Sequence, residues 1–279
     1  MAIKTIQVCL TGSRHADTLM RIAVPLAARH NALLVGVHTI EALVVYPGIA
    51  MHIPDQAFGA FNESQAREAA EIEEIFERHC NTEDFPCEWR LLRAEAVSAA
   101  ERIVESARAA DLVIMAQADK TSDRYDQRNV QERVIRESGR PVLVVPLGYD
   151  GPPVGQRILL GWTNSREAAR AAHDVVSMAA PDADVNVVQV GGPLLDEMTE
   201  FDALAIAGMY ARHGLRATVT HCEADGSDVA PLLVTTARRT DADMIATGAF
   251  GHSRFHDFVV GSVTWSLLHD AELPVLFSC

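Results

Sequence analysis

The sequence predicts an α/β protein made of two tandem domains, each with a five-stranded parallel sheet. Short apolar runs alternate with longer amphipathic runs along the chain, which is the pattern of a parallel sheet covered by helices on both faces. The chain also repeats itself, because residues 6–13 resemble residues 158–165 and residues 140–145 resemble residues 273–278. A duplicated domain explains both observations.

Each copy contains five apolar runs that we interpret as strands. They are residues 6–10, 33–39, 87–93, 112–116 and 142–145 in the first copy, and residues 157–162, 185–190, 217–222, 244–247 and 275–277 in the second. Helices are predicted over residues 16–30, 63–79, 96–109 and 130–138, and then over residues 166–180, 197–213, 229–240 and 262–269. A turn-rich linker at residues 148–153 predicts domains over 1–147 and 154–279.

Composition narrows the classes of function. The 279 residues carry a formal net charge of -14, which argues against nucleic acid and anionic membranes as partners. The five cysteines form no CxxC pair, which is typical of a reduced, cytoplasmic protein. No signal peptide is evident, and no apolar run approaches the roughly 20 residues that a membrane-spanning helix needs. We therefore expect a cytoplasmic protein.

The most informative motif follows the fourth strand of the second copy. Thr247 and Gly248 begin a loop that continues to Gly251, and Gly261 and Ser262 follow after nine intervening residues. A strand, a glycine loop and a helix N-terminus together present backbone N–H groups that suit phosphate. Glycine has no Cβ, so the backbone can come close to an anion. Ser262 is predicted to be the N-cap of the last helix.

The spacing Gly-x2-Gly-x9-Gly-Ser resembles the ATP-binding signature of the universal stress protein family. Gly-His-Ser-Arg at residues 251–254 and Leu-Pro-Val-Leu at residues 273–276 resemble the same family. The resemblance implies two fused Rossmann-like domains of the adenine-nucleotide hydrolase type, packed as a pseudo-dimer through their last strands. Four side chains of those strands should then be buried between the halves: Val142, Val144, Val275 and Phe277.

The resemblance also implies a ligand and a site in the second copy. The ligand is ATP, with or without magnesium. Phosphates would lie on the glycine motif, adenine would meet the end of the second strand, and the loop after the first strand would cover base and sugar. The implied residues are Gly161, Trp162, Thr163, Val190, Thr247, Gly248, Gly251, His252, Ser253, Arg254, Gly261, Ser262 and Val263. Thr163 departs from the aspartate that many members carry there.

The first copy differs from the second in two ways. It lacks the glycine motif, since Gln117 and Ala118 follow its fourth strand and acidic residues come soon after. We therefore predict that it binds no phosphate and that one chain binds one ATP. It also carries about 18 extra residues, mostly within residues 41–60, that are apolar and interrupted by turns.

Three functions stay open at this point. The first is an ATP-binding regulatory module of the stress response. The second is a slow ATPase or phosphotransfer protein with His252, Ser253 or Ser262 as phospho-acceptor. The third is an interaction protein that binds a small apolar ligand, or another protein, through residues 41–61. No residue is evidently placed to activate water, so at most weak ATP hydrolysis is expected.

Other candidate residues have simpler interpretations. Ser13 and Ser165 are predicted to be helix N-caps, because neither lies in the Gly-x-Ser-x-Gly pattern of a nucleophile. His252, His256 and Asp257 could suggest a metal site, but they fall within the phosphate loop and no third strong ligand is near. No metal site is predicted. A homodimer of tandem chains stays open beside the intramolecular pseudo-dimer.

Overall fold

The computed structural model describes residues 2–41, 55–94, 97–118, 126–191, 197–224, 228–251 and 259–279. Within these residues, every run predicted as a strand forms one, with ends within two residues of the prediction. The strands are β1 Thr5–Cys9, β2 Leu33–Glu41, β3 Cys87–Ala94, β4 Leu112–Ala116, β5 Val142–Val145, β6 Arg157–Trp162, β7 Asp184–Gly191, β8 Arg216–Glu223, β9 Met244–Gly248 and β10 Val275–Ser278. The helices are α1 Ser13–His30, α2 Asp55–Cys80, α3 Ala99–Ala107, α4 Asp126–Glu137, α5 Arg166–Met178, α6 Glu197–Arg212, α7 Val229–Arg239 and α8 Val259–Asp270.

The two halves share one continuous ten-stranded sheet instead of forming two separate five-stranded sheets. Its strand order is β3-β2-β1-β4-β5-β10-β9-β6-β7-β8. Every pairing is parallel except β5 with β10, where Val142 is opposite Phe277 and Val144 is opposite Val275. The predicted pseudo-dimer is confirmed, since these four side chains are at most 3% exposed. The pairing satisfies two edges that would otherwise present free N–H and C=O groups.

Helices cover both faces of the sheet, as the alternation of apolar runs predicts. One apolar layer lies under α1, α2, α5 and α6, and it includes Leu19, Ile72 and Val175. The other lies under α3, α4, α7 and α8, and it includes Val134 and Leu233. Because neighbouring residues of a strand point to opposite faces, each strand contributes side chains to both layers.

A repeated aspartate ties the amino ends of the strands. The carboxylate of Asp243 accepts hydrogen bonds from the N–H groups of Gly155, Gln156 and Arg157, each at 2.7 Å. In the first half, Asp111 accepts hydrogen bonds from the N–H groups of residues 4 and 5, at 2.8 and 3.0 Å. Both aspartates lie at the edge of the sheet opposite to the glycine motif. The repeated Ala-Asp sequence is therefore structural.

Of three predicted helix N-caps, one is confirmed and two are wrong. Ser165 is the N-cap of α5 as predicted, and its Oγ accepts a hydrogen bond from the N–H of Ala168 at 3.2 Å. The prediction for Ser13 is wrong, because Gly12 occupies the N-cap position of α1. The prediction for Ser262 is also wrong, because α8 begins three residues earlier, at Val259. Two valines thus form helix ahead of the Gly-Ser pair.

Only part of the extra segment of the first half, predicted mostly within residues 41–60, lies among the described residues. Residues 55–62 extend α2 by about two turns ahead of its predicted start at residue 63. Residues 42–54, which hold most of the predicted apolar insert, lie outside the described residues.

Candidate functional site

The carboxyl ends of β6 and β9 meet at a change in strand order. From β6 the chain adds β7 and β8 on one side, and it then returns to add β9 and β10 on the other. Gly161 of β6 is paired with Thr247 of β9. A Cβ at Gly161 would lie 3.1 Å from Leu233 Cδ1 and 3.7 Å from Thr247 Oγ1. The structure thus brings two of the predicted segments together at a switch point, where open parallel sheets bind ligands.

The loop after β9 is tied to the neighbouring strand and helix. The N–H of Ala249 donates to the carbonyl of Ser278 at 2.7 Å. Phe250 has a φ of 55°, in the left-handed region, and its N–H donates to Thr264 Oγ1 of α8 at 3.4 Å. These contacts hold the loop against the first turns of α8. Gly261 belongs to that helix's first turn, where N–H groups have no partner within the helix.

The two loop glycines have a clear packing role. A Cβ at Gly248 would lie 2.6 Å from the backbone of Glu167 and of Ala168, in the first turn of α5. A Cβ at Gly251 would lie 2.6 Å from the carboxylate oxygen Oε2 of Glu167. Close packing against the backbone of α5 is therefore sufficient to explain glycine at position 248, whereas at position 251 the neighbour is the end of a side chain that can move. The approach of a phosphate to them stays a prediction.

Glu167 is a buried acid at the loop that sequence reasoning missed. It is 7% exposed, and its Oε1 accepts hydrogen bonds from Arg166 Nε at 3.0 Å and Nη2 at 2.7 Å. Burial raises the pKa of this carboxyl, but hydrogen bonds from its own N–H, from Arg166 and from Ser165 outweigh burial and hold the pKa below its ordinary value. The group is therefore ionised at neutral pH. Its position follows from the N-cap at Ser165, which places residue 167 in the first turn.

A second missed residue comes from the other half of the chain. Arg136 of α4 places its guanidinium carbon 3.5 Å from the centre of the Phe250 ring. Nothing near either residue in the sequence indicates this contact, since it depends on the pairing of β5 with β10.

The remaining predicted site residues take different places. Trp162 is 6% exposed and packs with Ile158 in the layer under α5, on the opposite face of β6 from Leu233. Thr163 is exposed, and its Oγ1 donates to Ser165 Oγ at 3.5 Å. Val190 is half-buried against the layer under α7 and α8.

Val263 packs against the same layer as Val190. Ser262 is the fourth residue of α8. Five loop residues lie outside the described residues: His252, Ser253, Arg254, His256 and Asp257.

Two features are absent from the described ranges: a membrane-spanning helix and a metal-binding cluster. None of their helices is long and apolar enough to cross a membrane. They also contain no cluster of three or more His, Cys, Asp and Glu side chains arranged to hold a metal ion.

The repeated domains and the glycine motif agree with a comparison across protein families. The model of the universal stress protein family matches residues 2–146 and again residues 155–278. The chain belongs to the universal stress protein family. No curated protein sequence matches it significantly.

Solved structures of universal stress proteins share the fold. One from Archaeoglobus fulgidus DSM 4304 is 13% identical with a TM-score of 0.74, covering 100% of this chain and 96% of its own. A putative universal stress protein from Pseudomonas aeruginosa UCBPP-PA14 is 17% identical with a TM-score of 0.60, covering 99% and 93%. A shorter universal stress protein, solved in complex with cAMP, is 20% identical with a TM-score of 0.36, covering 53% and 100%. That likeness is too distant to assign a ligand here.

Proposed function

We propose that the second half binds an adenine nucleotide, ATP, and that the protein acts as a regulatory module of the stress response. The phosphates lie over the loop after β9 and the first turn of α8. The observation that best supports this is the hydrogen bond from Phe250 N–H to Thr264 Oγ1. It holds the loop beside a helix N-terminus, where backbone N–H groups and the helix dipole favour an anion.

The nucleoside has an apolar surface available beside the phosphate loop. Gly161 carries no side chain, and Leu233 and Thr247 border the space that a side chain would take. Val190 and Val263 pack against the same layer of the core. A flat base on this surface, with its edge toward the backbone at the end of β7, accounts for the predicted role of Val190.

Slow hydrolysis is a second candidate function, favoured by Glu167. Its ionised carboxylate lies at Gly251, where it could accept a proton from water during attack on a phosphate. We expect a kcat for ATP hydrolysis well below roughly 1 s⁻¹, which is the lower limit of typical enzyme values. Multiple-turnover phosphate release from the chain and from Glu167→Gln separates this function from binding alone, because only hydrolysis is lost in the variant.

Calorimetric titration with ATP tests the proposed binding. We expect one ATP per chain. The variant that tests phosphate binding most directly is Ser262→Glu. It adds a negative charge to the first turn of α8 without filling the space beside Gly248. Its matched control is Asn129→Glu, which adds the same charge at the fourth residue of α4.

Ser262→Glu should weaken ATP by at least about tenfold, which corresponds to about 1.4 kcal/mol. Asn129→Glu should leave the affinity unchanged, because the first half lacks the motif. Two ATP molecules per chain, no binding, or equal effects of the two variants would contradict the proposal.

A further inference from the structure

The junction between the halves brings a cation of the first half to the phosphate loop of the second. Antiparallel pairing of β5 with β10 sets α4 beside the loop after β9. There the guanidinium of Arg136 covers the ring of Phe250, with 3.5 Å between the guanidinium carbon and the ring centre. A guanidinium that stacks on an aromatic ring keeps N–H donors at its edge for a further partner.

Among the described residues, no carboxylate pairs with Arg136. Its side chain is exposed, and no ion pair or hydrogen bond of its guanidinium is found among the described residues. The acid next to it, Glu137, is held by Arg133, whose Nε and Nη2 donate to the two carboxylate oxygens at 3.1 Å each. The positive charge of Arg136 is therefore available to an anion at the loop.

Arg136 adds positive charge beside the loop that the other described residues there do not supply, whereas Arg254 of the motif itself lies outside the described residues. The chain carries a formal net charge of -14, and the carboxylate of Glu167 lies against Gly251. Arg166 cannot supply the missing charge, because its Nη2 is 2.7 Å from Glu167 Oε1 in an ion pair. Backbone dipoles provide only about half an elementary charge at a helix N-terminus. The Arg166–Glu167 pair is neutral, so it offers a phosphate at Gly251 no net positive charge.

We propose that Arg136 donates to the phosphates of a nucleotide bound in the second half, so that both copies build one site. The inference rests on the nucleotide binding proposed above and adds to it a residue that lies outside the glycine motif and outside the domain that carries it. Although the first copy lacks the glycine motif, it then has a function, because it supplies a cation to the site of the second copy.

Titrations of the full chain with ATP and with adenosine test this. Arg136→Ala should weaken ATP by at least about tenfold, since a hydrogen bond to a charged group contributes roughly 1.5–3 kcal/mol. Adenosine has no phosphate, so its affinity should change by less than about twofold, within the scatter of surface substitutions. Arg133→Ala is the matched control, because it removes the same charge from the same helix, and it should change neither affinity. Arg136→Lys keeps the positive charge but loses the planar arrangement of N–H donors. Its affinity for ATP should lie between those of the unaltered chain and Arg136→Ala.

The outcomes separate the two proposals. If the unaltered chain binds ATP and Arg136→Ala binds it as tightly as Arg133→Ala does, the inference is wrong and the proposed function stands. If Arg136→Ala weakens adenosine as much as ATP, Arg136 only supports the loop, which also overturns the inference. If the unaltered chain binds neither ligand, the proposed function fails and the inference fails with it.

Discussion

The two halves differ at the carboxyl ends of their first strands. In the second half, Gly161 leaves the end of β6 without a side chain. In the first half, Cys9 takes the matching place, is fully buried and packs in the layer under α3 and α4. Gln7 Nε2 donates to its Sγ at 3.5 Å, and Ser106 Oγ donates to Gln7 Oε1 at 2.7 Å. In the first half the Cys9 side chain thus takes the place beside the strand that Gly161 leaves to Leu233 in the second half.

The loops after β4 and β9 leave the sheet in the same way but carry different side chains. The N–H of Gln117 donates to the carbonyl of Val145 at 2.7 Å, just as the N–H of Ala249 donates to that of Ser278. Beyond this point the second half has Phe250 with a positive φ, whereas the first half has Ala118. The two loops therefore leave the sheet alike and diverge one residue later, where Phe250 has a positive φ and Ala118 does not. The following predictions test that difference, from the largest expected effect to the smallest.

The aspartate ties should differ in strength between the halves. Asp243 is 2% exposed and accepts three backbone hydrogen bonds, whereas Asp111 is exposed and accepts two. Asp243→Ala leaves the buried N–H of Gly155 and the part-buried N–H groups of Gln156 and Arg157 without their partner, so we expect it to lower the free energy of unfolding by about 3–5 kcal/mol. Asp111→Ala should cost about 1 kcal/mol, because water replaces the lost partner. Denaturant unfolding measures both, and equal losses would contradict the comparison.

An exchange of side chains at the first strands should remove the site without creating a second one. Gly161→Cys places a Cβ 3.1 Å from Leu233 and a thiol in the proposed nucleoside space. We expect the affinities for ATP and adenosine to fall by at least about tenfold, or about 1.4 kcal/mol, because the thiol takes space proposed for the nucleoside. The reciprocal change, Cys9→Gly, should keep one ligand per chain, because the loop after β4 still lacks the motif. Calorimetry gives both results. Unchanged affinity in Gly161→Cys, or two ligands in Cys9→Gly, would be evidence against a difference set by these positions.

The sequence was sufficient for the fold because its signals were local or repeated. Apolar runs marked the strands, and the resemblance to the universal stress protein family implied that the last strands pair across the halves. Helix starts were harder to predict from the sequence, since residues such as Val259 and Val260 are compatible with the start of a helix and with the end of a loop. Without tertiary contacts, a Gly-Ser pair that follows them looks like a helix start.

The site was only partly predictable for a physical reason. The motif pointed to the ends of β6 and β9, which the structure places side by side. Glu167 and Arg136 were missed because each reaches the loop from another element. Glu167 had a local signal in the N-cap at Ser165, whereas Arg136 reaches Phe250 only because two strands far apart in sequence pair.

The thiol of Cys9 gives the last test, where no effect is expected in the folded protein. Burial raises its pKa to about 12, although the hydrogen bond from Gln7 lowers it in part. At pH 8 only about one thiol in ten thousand would then be ionised, and the thiolate is the form that reacts with iodoacetamide. Cys279 is exposed and should be alkylated first. Peptide mass spectrometry should find Cys9 unmodified until urea unfolds the chain, when all five cysteines react. If Cys9 reacts at the rate of Cys279 in the folded chain, the first half has an open cavity, and the argument that its side chains fill the site is wrong.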